Sequence, residues 1–203
     1  MWEIYSHTIF FALNCQVKYL VMDMNYSYDK LIKRCFPNAQ LITDRFHVVQ
    51  QMTRAFNTLR IQVMKSFDTR TPEYRHLKYY WKHLLKHYDD LSETSFYSRS
   101  LRRWTSSRQL VEQLINYDSV LYEAWQILQF AMGHFRNKDS DAFFNLIDGL
   151  DTCMLPDPFV KKYQFLLRKR PSIELAIKRC AFGFRTFRNF KKRILLMNTV
   201  LTN

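Results

Sequence analysis

The spacing of apolar residues along this 203-residue chain changes period more than once. Two short runs come first: residues 17–22 (VKYLVM) end at Asp23 and residues 39–43 (AQLIT) end at Asp44, so each buried-strand candidate closes on a carboxylate. Between them Tyr28, Leu31, Ile32, Cys35 and Phe36 recur at helical spacing, Ser27 is placed to cap, and Phe36-Pro37-Asn38 breaks the helix. Strand, crossover helix and strand make a parallel unit, which predicts Asp23 and Asp44 near each other at one sheet edge.

Past His47 the period is helical. Val48, Met52, Ala55, Phe56, Leu59, Val63 and Phe67 predict a helix of about five turns, with Gln50, Arg54, Arg60 and Lys65 on its other faces. Thr71-Pro72 opens a helix leading into residues 74–88. His83 and His87 on it could be two ligands on one face or simply solvent-facing, and the lack of a third ligand or neighbouring base favours the second reading. Residues 89–107 show no periodicity and read as a connection. Within it Leu101-Arg102-Arg103-Trp104 is read first as a packed Trp beside solvated arginines, and second as a phosphate or base contact. Helices are predicted over 108–116, 119–135 and 141–150, the last capped by Asp139 or Ser140, with Tyr122, Trp125, Phe130 and Phe135 assigned to the core. After a break at 155–158, a basic helix over 159–170 is expected to end at Pro171, with Ser172 capping the next.

A hydrophobic content of 47% with three glycines and five prolines describes a globular, mostly helical chain. Cys15, Cys35, Cys153 and Cys180 form no CxxC pair and read as reduced thiols. The early apolar run IFFAL is too short to span a bilayer and has no signal-peptide cleavage pattern, so the chain is expected to be cytoplasmic with no membrane partner. The formal charge of +13 is concentrated: residues 160–203 carry twelve Lys and Arg against one acid, Glu174, leaving the first 159 residues with nineteen bases and seventeen acids. A solvated basic face is one reading. The other is a polyanion footprint, favoured because Phe182, Phe184, Phe187 and Phe190 interleave with Arg185, Arg188 and Lys191, which lets one side pack while the other presents cations.

A strand closing on Asp23-Met24, a helix, Phe36-Pro37-Asn38-Ala39, a short strand and then Asp44-Arg45-Phe46-His47-Val48-Val49 together resemble the catalytic domain of bacterial insertion-sequence transposases with an RNase-H-like DDE core. The likeness continues less specifically through 50–151 and returns in 177–195, IKRCAFGFRTFRNFKKRIL. The resemblance implies an α/β, mostly helical fold: a non-matching segment at 1–16, a partial RNase-H-like core at 17–67, an all-helical insertion at 68–157, and basic helices at 158–203 completing the core. It implies that Asp23 is the second triad carboxylate and a metal ligand. Asp44 and His47 match an accessory Asp-x-x-His signature shared with Mutator-like relatives. The implied cofactor is Mg²⁺ or Mn²⁺, with DNA element ends as partner and a homo-oligomer left open. The DNA-binding residues of this reading are Lys178, Arg179, Arg185, Arg188, Lys191, Lys192 and Arg193.

Two positions depart from the family pattern. No acid other than Glu3 precedes Asp23 to stand for the first triad Asp, and the triad Glu position falls near Arg168, leaving Glu174 as the nearest substitute. The expectation is a truncated, catalytically incomplete transposase. The alternative is a noncatalytic nucleic-acid-binding helical protein, and paired parallel strands carrying Asp23 and Asp44 discriminate in favour of the first.

Overall fold

A computed structural model describes residues 17–24, 34–151 and 154–179. Strands β1 (Tyr19–Met22) and β2 (Gln40–Thr43) pair in parallel, Leu20 opposite Leu41 and Met22 opposite Thr43. The turn at Pro37-Asn38 feeds β2, with the Ala39 amide donating to the Phe36 carbonyl at 3.1 Å. Only Arg34 and Cys35 of the expected crossover helix fall among the described residues, and both are helical. The readings that rest on Ser27, Glu3, Cys15, Cys153 and Cys180 lie outside them.

From Arg45 the chain is helical. Helix α1 (Arg45–Ser66) buries Val48, Met52, Ala55, Phe56, Leu59, Val63 and Met64 along one stripe and forms the centre of the molecule. It begins before Val48, because Asp44 already supplies the cap. Arg60, expected on an outer face, is instead buried: it donates to the Leu77 carbonyl at 2.6 Å and to Asn57 Oδ1 at 2.8 Å, and burial lowers its pKa. Its one-turn spacing from Phe56 and Met64 put it on the core stripe all along, with the carbonyl accepting the charge that the apolar pattern could not.

The single helix expected after Thr71 is broken. Helix α2 (Pro72–Tyr79) ends where Tyr80 leaves helical geometry (φ −101°, ψ 10°), and α3 (Trp81–Leu84) follows at once. His87 then opens a 3₁₀ turn at Tyr88–Asp90. Beside the break lies an unexpected neighbour. The 89–107 connection contains an antiparallel hairpin, β3 (Phe96–Ser98) with β4 (Arg103–Thr105), and Ser98 Oγ lies 2.6 Å from the Tyr80 hydroxyl. Residues 68–157, expected to be all-helical, therefore are not. The hairpin also stacks Phe96 on His83 with ring centroids 6.4 Å apart, and His87 retains only 12% of its side-chain exposure. Neither histidine is simply solvent-facing, which corrects the expectation from spacing.

Helices α4 (Ser107–Ile115), α5 (Ser119–Arg136) and α6 (Ser140–Asp148) follow with caps at Ser106, Asp118 and Asp139, the first a reciprocal capping box with Gln109. On α5 the buried stripe includes Leu121, Trp125, Leu128, Met132 and Phe135. Tyr122 and Phe130 point off that stripe and are exposed, correcting their assignment to the core. Helix α7 (Asp157–Leu167) packs on α1, and α8 (Arg170–Lys178) packs on β2 and α1. Pro171 begins α8 instead of ending α7, since the first turn needs no donor from it. Ser172 is thus inside the helix, its hydroxyl donating to the Lys169 carbonyl at 3.0 Å.

Arg45 draws these elements together. Its guanidinium donates to the carbonyls of Phe135 (3.1 Å), Ala176 (3.3 Å) and Ile177 (3.5 Å), near the C-termini of α5 and α8, and lies 4.6 Å from the Phe135 ring centroid. Thr43 Oγ1 and Ser172 Oγ meet in a buried contact at 2.7 Å.

Two histidines in the hairpin region make stability depend on pH. His76 is buried with Nδ1 2.7 Å from the Tyr117 hydroxyl, and His83 Nδ1 is buried without a hydrogen-bond partner; desolvation lowers both pKa values below 6.5. The unfolded chain, with its histidines near 6.5, then binds more protons than the folded one, so their stabilising effect is complete above that pH and declines below it. Urea midpoints are expected to fall between pH 7 and pH 5. His83→Phe, which keeps the stack on Phe96, should flatten that dependence, and an equally steep profile in the variant would contradict the assignment.

Candidate functional site

The parallel register carries β1 and β2 to a common edge. Met22 pairs with Thr43, and the Asp44 amide donates to the Met22 carbonyl at 2.7 Å, so Asp23 and Asp44 follow adjacent strand ends. Neighbouring strands lie about 5 Å apart, which sets the spacing of the two backbones here. The expectation of two acids at one sheet edge is met, and the parallel register is what brings them together.

Their roles then diverge. Asp44 is the N-cap of α1. Its Oδ1 accepts from the Phe46 amide at 3.0 Å, and its Oδ2 lies 3.0 Å from His47 Nδ1. With the proton on Nδ1, the imidazole donates to the carboxylate and its Nε2 is left as an acceptor. The Asp-x-x-His spacing therefore places Asp at N-cap and His at N3, where the imidazole bonds the capping carboxylate itself, while the Asp44 amide is taken by Met22. Asp44 and His47 retain 22% and 38% of their side-chain exposure, so the pair is reachable from solvent.

Glu174 is differently occupied. The buried face of α8 is Ser172, Ile173, Ala176 and Ile177, and Glu174 lies off it, paired with Lys178 one turn later. The hydrogen bond from Lys178 holds the Glu174 carboxyl below the usual carboxylate range. Its expected place in the first turn after a Ser172 cap does not hold, because the helix starts at Arg170. Among the proposed DNA-binding cations, Lys178 is engaged by Glu174 and Arg179 lies over the Tyr19 ring at 4.1 Å. Arg185, Arg188, Lys191, Lys192 and Arg193 lie outside the described residues.

A family model for transposases, DDE_Tnp_ISL3, matches residues 10–169. The chain belongs to this transposase family. No curated protein and no solved structure shows a significant match to it. The match covers the strand pair, Asp23, Asp44 and His47 and the helices through α7, and stops before Glu174 and the cations from Arg170 onward. Family membership assigns the chain to DNA transposition. Among the described residues no helix is long and apolar enough to cross a membrane.

A transposase of this type would use two divalent ions held by several carboxylates. The described residues do not fit such a centre: among them no group of three His, Cys, Asp or Glu side chains converges, Asp44 has both oxygens hydrogen-bonded, and Glu174 faces Lys178. Sequence reasoning missed Arg45 altogether. Its position inside the recognised Asp-Arg-Phe-His string was the available signal.

If Asp44 acts as a cap, the two substitutions at this position separate. Asp44→Asn keeps an N-cap acceptor and should cost no more than a few tenths of a kcal/mol, whereas Asp44→Ala should cost about 1–2 kcal/mol in urea unfolding. Equal losses in the two variants would show that the carboxylate charge, and not the cap, is what the site requires.

Proposed function

We propose that this transposase builds residues 17–67 as a partial RNase-H-like core, interrupted at 68–157 by an insertion and continued by basic helices over 158–203, in the branch related to Mutator-like elements. The parallel pairing of β1 with β2 carries the proposal, because it sets Asp23 and Asp44 at one edge where a DDE core presents its second carboxylate. The return of α8 onto β2 supports it further: a late helix packs beside an early strand, as an insertion between halves of one core demands. A noncatalytic helical bundle has no use for that pairing.

The substrate of this reading is insertion-sequence DNA, approached through the cations of residues 160–203. Phosphate neutralisation releases condensed counterions, so binding weakens as salt rises. Replacing Arg185, Arg188 and Lys191 together should flatten the log–log salt slope for duplex DNA by about 0.9 unit for each phosphate that the variant no longer neutralises. An unchanged slope would move the footprint elsewhere.

Phosphodiester cleavage and strand transfer are the family's chemistry, with Asp23 as its second triad residue. As it stands this chain is catalytically incomplete, because Arg168 occupies the neighbourhood expected of the triad Glu and Glu174 is engaged by Lys178. A cation at that position repels the divalent ions the site would hold. Purified protein incubated with element ends in Mg²⁺ and then Mn²⁺ is expected to give neither nicking nor joining. Nicking abolished by Asp23→Asn would overturn that expectation and show that the site is complete.

A further inference from the structure

The β3–β4 hairpin has two unlike faces. One is fastened to the body: Phe96 stacks on His83, Ser98 Oγ meets the Tyr80 hydroxyl, and Arg103 Nη2 donates to Gln113 Oε1 at 2.7 Å. On the other, Tyr97 and Trp104 are cross-strand partners with ring centroids 6.0 Å apart in an edge-to-face contact, yet they remain 53% and 70% exposed. A cross-strand aromatic pair helps hold a short hairpin, but that need is met with most of the indole still in water.

The turn joining the strands adds charge to that face. Arg99 and Arg102 are exposed at the tip, and Arg102 sits in the left-handed region with φ 52°, a conformation in which glycine or asparagine would be easier. Between residues 94 and 111 the chain carries Arg99, Arg102, Arg103 and Arg108 and no acid, and among the described residues only Arg108 of these four meets a carboxylate, that of Glu93. Exposed aromatic faces beside guanidinium groups without a carboxylate are what bases and flanking phosphates recognise in single-stranded nucleic acid, where any base can stack and the backbone supplies the charge.

We propose that the β3–β4 hairpin is a DNA-contact element, in which Tyr97 and Trp104 stack on an unpaired base and Arg99 and Arg102 hold the adjoining phosphates. The inference rests on the reading that the chain binds DNA, and adds to it a preference for distorted over fully paired duplex. The basic block recruits the polyanion without distinguishing paired from unpaired strands, while the hairpin makes that distinction by offering the flat surface that only an unstacked base can reach.

Two probes test this: a duplex carrying a single bulged 2-aminopurine and the same duplex fully paired, each titrated with the whole chain. The bulged duplex is expected to bind more tightly, with its fluorescence quenched by the indole. Trp104→Ala should remove the quenching and weaken binding to the bulged duplex by about tenfold or more while leaving the paired duplex unaffected, since base stacking contributes at that scale. Trp104→Phe should retain an intermediate preference, which a general loss of hairpin structure would not give. Arg102→Gly relieves the backbone conformation, so it should keep or raise the urea midpoint and still weaken the bulged duplex. Wild-type protein that binds the paired duplex but shows no preference for the bulge overturns the hairpin proposal alone. Protein that binds neither duplex overturns the hairpin proposal and the DNA-binding reading together.

Discussion

Arg45 is the group on which the arrangement of this molecule depends. It stands at the first position of α1, one residue past the acid that caps the helix, and it donates to three carbonyls near the ends of two other helices. Those carbonyls lack intrahelical partners or sit where the helix dipole is negative, so a cation there satisfies acceptors and opposes the dipole at once. The planar fork matters, since an ammonium could not reach α5 and α8 together with the same rigidity while also lying on the Phe135 ring. Its bonds to Ala176 and Ile177 tie α8 to the start of α1, beside the hydroxyl contact that joins the same helix to Thr43.

This changes the meaning of the Asp-Arg-Phe-His string. A sequence motif with two polar groups three apart invites a chemical reading, in which acid and imidazole serve the reaction. Here Asp44 fixes the start of α1 and the orientation of His47, while Arg45 fixes what surrounds that start. Rigid placement of a strand end and a helix start also fixes the edge at which Asp23 follows β1, so the string acts on that edge through the fold. The Nδ1 contact of His47 is then part of the cap, which leaves Nε2 as its second ring nitrogen.

The legible parts of the fold were those where backbone periodicity and caps act locally. Apolar runs into a terminal carboxylate revealed both strands, and Thr71, Asp139 and the stripe from Val48 to Val63 located the starts of their helices to within a few residues. What stayed illegible depends on contacts between distant residues. The hairpin has strands of three residues and a turn without glycine or asparagine, so it carries neither a period nor a turn signature, and it exists because Tyr80, His83 and Gln113 wait for it. Arg60 and Arg45 were hidden for a related reason. A charged residue on a core stripe reads as an interruption until the carbonyls it binds, which come from other helices, are in view. Asp23 and Asp44 were found because a parallel crossover fixes their edge; the company of Glu174 was not, because the start of α8 lies three residues earlier than a Ser172 cap would place it and Pro171 changed roles.

That shift bears on how the late helix relates to the early strands. Ser172, near the start of α8, meets Thr43 at the end of β2, and Arg179, just past its last turn, covers Tyr19 at the beginning of β1. The helix therefore runs antiparallel to the strands, bringing its N-terminal turn to the edge that holds Asp23 and Asp44 and its C-terminal cations to the opposite edge. An acid meant to join those carboxylates would have to stand at the start of α8 and on its sheet-facing side. The residues that stand there are Lys169 and Ser172, both buried, while the only acid of the helix lies outward beside a lysine. At that edge the hydroxyls of Thr43 and Ser172 meet, so a neutral polar contact helps to hold the helix against the strand.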